Sequence, residues 1–386
     1  MCIRDRCGPG PGSYNHTTSD ARSFAAWGAD YLKEDSCAAS QNHTEAFAEY
    51  GRMRDALNAT GRPIVFSVCG WFPWYSNPDP ALGYGGGKTL GNMWRIGPDD
   101  TNWQGVLTNI NINSALAKNA GPGGWNDPCL LLAEDSAGNL RISQLQSRAQ
   151  FSMWAVMASP LIISANIRNM STMNVETYTN AEVIAVDQDP LGVQGERIAG
   201  LNLQALSEIE GGAASEIEAG AASADSCSAG ALAAGGDVHK ANMTIAQATA
   251  WCDANVGCVG FTAHQPGACA AANGSAVFEM YFKDASVARN DDKNWTTWQK
   301  PGSTTNIWAR PLTGGRWALV FLNVGATTVD LACDESCMAK TSLAGKEVMV
   351  RDLWTHRDLG KQTVHTLTAK ALSPKGGHAM YLLTPA

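Results

Sequence analysis

Between residues 7 and 200 short apolar runs alternate with stretches of helical periodicity, and few folds accept that alternation. "ADYLKED", "RPIVFSVCGW", "NMWRI", "GGWNDPCLLL" and "PLIISANI" read as strands because each is short, apolar and bounded by turn residues. Between them "TEAFAEYGRMRDALNATG", "DDTNWQGVLTNINI" and "RISQLQSRAQFSMWAVMA" carry apolar residues at helical spacing. Repeated strand-then-helix units predict a parallel sheet, and polar residues at the strand ends predict a (β/α) barrel. The expected class is therefore α/β, with residues 7–204 as the barrel domain. A second segment, 205–225, is an Ala/Gly-rich stretch that repeats "SEIE" and reads as a linker. Residues 226–300 hold Cys227, Cys252, Cys258 and Cys269 and read as a small cysteine-rich module. From 301 to 386, alternating runs such as "RWALVFLNV" and "HAMYLLTP" predict a C-terminal antiparallel β-sandwich.

Bulk properties exclude several classes. The chain has 386 residues, a net charge of −8 and no basic run, so neither nucleic acid nor an anionic membrane surface is an expected partner. The longest apolar stretch, 151–167, contains Pro160 and is too short for a membrane span. Eleven cysteines, with N-x-S/T triplets at Asn15, Asn42, Asn58, Asn169, Asn242, Asn273 and Asn294, point to an oxidising, secretory compartment: secreted, lysosomal or vacuolar. No CxxC pair or histidine cluster suggests a metal, and no cofactor is expected. Residues 1–6 fall outside the pattern that begins at Cys7; they read as foreign sequence and lack the apolar segment of a signal peptide.

"DYLKEDSC", "MWRIGPDD", "GPGGWNDP", "FSMWAVMASPLIIS" and "VIAVDQDPLGVQG" run in one order through residues 7–200. That order resembles glycoside hydrolase family 27, the retaining α-galactosidases and α-N-acetylgalactosaminidases. "VRDLWTHRDLG" and "YLLTPA" are similar to the family's C-terminal β-sandwich. The resemblance implies a partial (β/α)8 TIM barrel whose first strands would precede residue 7. On that reading the chain as it stands is expected to fold poorly or be inactive. It also implies hydrolysis of terminal α-D-galactosides by double displacement, on a galactoside-type oligosaccharide or glycoconjugate. α-N-Acetylgalactosaminides and β-L-arabinopyranosides are alternative substrates. An inactive carbohydrate- or protein-binding protein is the alternative of another class.

The chemistry needs two carboxyl groups about 5–5.5 Å apart, one attacking the anomeric carbon and one protonating the leaving oxygen. The resemblance puts the nucleophile on Asp35 and the acid/base on Asp99, four residues after Arg95, with Asp100 as the rival. The loop is one residue short before Trp103. Either aspartate could instead begin the following helix. Lys33 shares a strand face with Asp35 and, with Arg95, would bind the sugar; Glu34 points away. Cys69, Gly70, Trp71, Asn126, Asp127 and Cys129 occupy positions that the family uses around its sugar. Gly70 cannot bond a 2-hydroxyl through a side chain, and Cys129 replaces an acidic residue. Asn126 and Asp127 could equally hold a turn. Cys7 and Cys37 match a family disulfide. Cys69 is expected free, because its usual partner position is Gly91. "TIAQATAWCDANVGCVGFT" is similar to PAN/apple modules, which implies a glycan or protein ligand for 226–300, with a disulfide-stapled spacer as the alternative. Cys333 and Cys337 could close a small loop.

Overall fold

The computed structural model describes residues 12–37, 40, 42–70, 73–76, 85–135, 137–203, 226–229, 231–232, 237–254, 258, 260–266, 276–283, 289–290, 294–299 and 303–386. Helix α1 (Thr17–Ala26) leads into strand β1 (Tyr31–Asp35) and helix α2 (His43–Ala59). Strand β2 (Val65–Cys69), helix α3 (Pro73–Ser76), strand β3 (Met93–Arg95), helix α4 (Trp103–Asn113) and strand β4 (Trp125–Asp127) follow. The four strands pair in chain order and in parallel, as the strand-helix alternation predicts.

Local chemistry starts each helix. The Asn42 side chain accepts from the Glu45 N–H at the head of α2, and the Asn102 side chain accepts from the Gly105 N–H at the head of α4. On the outer face of the sheet Phe66, Val68 and Trp94 pack against Tyr50, Met53 and Leu57 of α2.

"GGWNDPCLLL" is not one strand. It breaks after β4, where Cys129 takes a left-handed backbone with φ of 91°, and β5 (Leu131–Leu132) starts a separate parallel pair with β6 (Ile163–Ser164). An Asx-type hydrogen bond from the Cys129 N–H to Asp127 Oδ1, at 2.9 Å, makes the turn. "PLIISANI" likewise contributes only the two residues of β6. Helix α5 (Gln144–Val156) lies between them and opens on a reciprocal capping box of Ser143 and Gln146. Short helices α6 (Thr172–Tyr178) and α7 (Ala181–Asp187) complete this part.

Strand β7 (Glu196–Ala199) corrects a domain boundary. The apolar pattern assigned it to the barrel, but it pairs with strand β15 (Thr305–Pro311) of the C-terminal sheet. In the cysteine-rich region, β8 (Ser226–Ala229), β10 (Asp237–Thr244), β11 (Gly260–Ala263), β12 (Val277–Lys283) and β14 (Thr296–Gln299) form one antiparallel sheet. The short β9 (Ala231–Leu232) and β13 (Arg289–Asn290) form a two-stranded ribbon. Helix α8 (Ile245–Ala254) covers the larger sheet around Phe261, Phe282 and Trp298, and Cys252 is bonded to Cys258.

The C-terminal unit pairs β15 (Thr305–Pro311), β16 (Trp317–Asn323), β18 (Glu347–Asp352), β19 (Arg357–Thr363) and β21 (Gly377–Pro385) with β7 in six strands. A second layer pairs β17 (Val329–Cys333) with β20 (Leu367–Leu372). Helix α9 (Glu335–Met338) follows β17, and the Cys333–Cys337 disulfide closes the loop that the spacing suggested.

One core runs through both large parts: Phe151, Trp154 and Val156 of α5 pack in the same cluster as Trp308, Val320 and Met380 of the C-terminal sheet.

Candidate active site

Side chains alternate across a strand, so Lys33 and Asp35, Ser67 and Cys69, Arg95, and Asp127 all lie on the inner face of the parallel sheet. Register then lines up their ends. Asp35 stands opposite Cys69, Val68 opposite Trp94, and Arg95 opposite Asp127. The result is a row, Asp35, Cys69, Arg95 and Asp127, across the C-terminal edge of four parallel strands. In strand-and-helix barrels that edge is where reacting groups gather.

The row is graded in exposure. Asp35 is half-buried; its carboxylate accepts from the Ser36 N–H at 2.7 Å. The Lys33 ammonium points at Asp127 rather than Asp35, with Nζ 3.9 Å from Asp127 Oδ2. That carboxylate oxygen is buried and accepts no hydrogen bond, while Asp127 Oδ1 holds the Cys129 turn. Arg95 is buried. Its Nη1 donates to Asp99 at 2.8 Å, and Nη2 donates to the carbonyls of Gly97 and Pro98, which fixes the 96–100 loop around the guanidinium. The Asp99 side chain is 77% exposed.

Asp100 is the opposite case. It is buried, it accepts from Gln150 Nε2 of α5 at 3.0 Å, and its other oxygen accepts nothing. Burial pushes its carboxyl up to about 7, against the pull of the neighbouring Cys129 thiol and of Arg95. Cys129 and Cys69 are both free and buried. Burial raises their thiols to about 12 and about 11, so both stay protonated near neutrality.

Two of the candidate positions are engaged within the fold. Asn126 is buried on the other face of its strand. Its Oδ1 accepts from Trp94 Nε1 at 2.9 Å, and its Nδ2 donates to the Leu116 carbonyl and to Gln194. These bonds tie β4 to its neighbour β3 and to the segments behind the sheet, the structural role that the sequence left open. Gly70 lies against an aromatic ring: a Cβ built there would come 2.1 Å from the Tyr75 ring, which stacks on Phe47 of α2. The glycine is needed for the close approach of that ring.

Cys69 is free as the sequence suggested, and a Cβ on Gly91 would meet the Phe66 carbonyl at 2.7 Å. Cys37 is disulfide-bonded, but Cys7 and Trp71 lie outside the described residues. Sequence reading missed Tyr31, Ser67 and Gln150. Tyr31 and Ser67 lie on the face that carries Lys33, and period-two counting back from Asp35 and Cys69 would have found both. Among the described residues no group of His, Cys, Asp and Glu is arranged to hold a metal ion, and no helix is long and apolar enough to cross a membrane.

Comparison with known proteins reaches the same parts of the chain. Residues 3–189 match the family model described as alpha galactosidase A, and residues 302–383 match that of the alpha galactosidase C-terminal beta sandwich domain. Alpha-galactosidase 3 of Arabidopsis thaliana is 44% identical over 194 residues, covering 50% of this chain and 41% of that protein. Human alpha-N-acetylgalactosaminidase is 41% identical over 184 residues, covering 46% of this chain and 43% of that protein. The chain thus spans less than half the length of these relatives. Alpha-galactosidase I from Mortierella vinacea superposes with a TM-score of 0.62 at 20% identity, covering 98% of this chain and 74% of the other, which shows a shared fold. With one model on the parallel-sheet part and its companion on the sandwich, the chain is similar to the α-galactosidase (melibiase) family over both of these parts.

Proposed function

We propose that this chain carries the hydrolytic site of a retaining exo-glycosidase for terminal α-D-galactosides. The observation that carries the reading is the row of Asp35, Arg95 and Asp127 on one sheet edge, with Asp99 tied to Arg95. Asp35 attacks the anomeric carbon and forms a glycosyl-enzyme. A carboxylic acid of the 96–100 loop gives the departing oxygen its proton. The same group then takes a proton from the water that releases the sugar. Asp99 has the exposure for proton exchange, and Arg95 orients it; buried Asp100 is the second candidate. Asp127 Oδ2, which accepts no hydrogen bond, and the Lys33 ammonium 3.9 Å from it are matched to sugar hydroxyls, which can donate to the one and accept from the other. Cys69 and Cys129, both neutral, wall the floor.

Residues 205–225 serve as linker on this reading, and the 226–300 unit as an accessory module that binds a glycan or protein. Folding and work in an oxidising, secretory compartment fit its disulfides.

The test is nitrophenol release from α-galactoside, α-N-acetylgalactosaminide and β-L-arabinopyranoside substrates by an active full-length protein that contains this chain and by its Asp35→Ala variant. The expected result is preference for the α-galactoside and loss of at least about 10³-fold in kcat for the variant. Equal rates for the two proteins would reject the nucleophile, and a preference for another glycoside would reject the substrate.

A further inference from the structure

Among the described residues every asparagine that stands two positions before a hydroxyl residue is exposed, although Asn92, Asn102 and Asn139 are exposed without that spacing. Asn15, Asn42, Asn58, Asn169, Asn242 and Asn294 each stand two residues before a threonine or serine, and all six are exposed. Asn273, the seventh of the kind, lies outside the described residues. Nine other asparagines, among them Asn109, Asn113, Asn126, Asn174 and Asn323, are buried, and none of the nine has a hydroxyl residue at that spacing. This chain readily spends asparagine on its interior, so N-x-S/T triplets scattered by chance would fall on buried positions too. Confinement to the surface is what a site for a large hydrophilic adduct requires.

We propose that Asn15, Asn42, Asn58, Asn169, Asn242 and Asn294 are acceptors of N-linked oligosaccharide from a lipid-pyrophosphate-linked donor. In that transfer Nδ2 bonds to the anomeric carbon of the donor sugar, the bond from that carbon to the pyrophosphate oxygen breaks, and the amide proton passes to a base of the transferase. Local chemistry accommodates the adduct. Asn42 caps α2 through Oδ1, accepting from the Glu45 N–H, so Nδ2 can take a sugar without loss of the cap. Asn58 lies in the last turn of α2. Asn169 follows Ile167, an apolar side chain 73% exposed that a glycan would shield. Asn242 sits on β10, an edge strand of its sheet, where a bulky group blocks pairing with another chain. The disulfides Cys252–Cys258 and Cys333–Cys337 belong to the same oxidising compartment as the transferase. None of this depends on the hydrolase reading.

The experiment is digestion of the protein, purified from its own cells, with a peptide-N-glycosidase in ¹⁸O-water, followed by peptide mass spectrometry. Labelled aspartate is expected at most of the six positions and at none of the nine buried asparagines. Label at half of the six or fewer, or at any of the nine, would overturn the proposal. As a second reading, Thr44→Val leaves the Asn42 cap intact and should remove one glycan step on a denaturing gel, a readout that needs no folding. Unchanged migration would overturn occupancy at Asn42.

Discussion

Asp99 and Asp100 are chain neighbours with opposite surroundings, and their difference is a prediction at the residue scale. Asp99 is open to solvent and bonded to Arg95; Asp100 is buried with Gln150. If Asp99 is the proton donor, Asp99→Asn should slow cleavage of a galactoside with a poor leaving group by about 10²–10⁴-fold, while an aryl galactoside that leaves unaided loses far less. The check is the slope of log kcat/KM against leaving-group pKa, steep in the variant and shallow in the parent. Asp100→Asn giving that steep slope instead would move the role to Asp100. Asp100 also makes a separate prediction about stability. Its folded-state value, about 7, lies above the ordinary 3.8, so the folded protein holds a proton that the unfolded chain has already lost. Its contribution is fully present below about pH 4 and is lost as pH rises through 7, on the order of a few kcal/mol in the limit. Asp100→Asn should flatten that decline in urea midpoints measured from pH 4 to 8; an unchanged slope would contradict the buried carboxyl.

At the scale of elements, β2 and α3 meet at Gly70. Gly70→Ala puts a methyl group into the Tyr75 ring and should cost about 1–3 kcal/mol; shortening Tyr75 to leucine in the same chain should recover part of the loss in denaturant titrations. Additive costs for the two changes would show that the ring does not need the glycine. The same junction marks how far the sequence was legible. The parallel strands and the faces of Lys33, Asp35 and Asp127 followed from short apolar runs and alternation of period two. What Gly70 is for did not follow, because the ring that excludes a side chain comes from another element. Asn126 takes a structural role for a related reason: its neighbour Asp127 lies on the inner face of the sheet, and one residue along a strand reverses the face. The break at Cys129 was half legible: Asp127 offered a turn and its side chain accepts the Cys129 N–H, but a cysteine gives no sign of a left-handed backbone. Strand β7 was assigned to the wrong domain since its pairing partner lies about a hundred residues later, beyond any local pattern.

For the whole molecule, α5 is shared property. Trp154 is fully buried, donates to the Cys129 carbonyl beside the candidate site, and belongs to the core that includes Trp308 and Val320 of the sandwich. Arg310 of β15 crosses the same boundary, donating to the Ala155 and Asp187 carbonyls. Trp154→Ala should therefore destabilise both parts together, by about 3–5 kcal/mol. Calorimetry should show their unfolding transitions coincident in the parent protein and shifted together in the variant. A sandwich transition left in place while the rest melts early would show that the shared core does not couple them.

The central claim is that Asp35 forms a covalent bond to the sugar. The direct measurement is incubation of the protein with a 2-deoxy-2-fluoro α-galactoside bearing an activated leaving group, then digestion and mass spectrometry of the peptides. The fluorine slows breakdown of the intermediate, so the account predicts time-dependent inactivation and a fluorosugar ester on Asp35. An ester on another carboxylate, or turnover to a product of inverted configuration with no adduct, would contradict it.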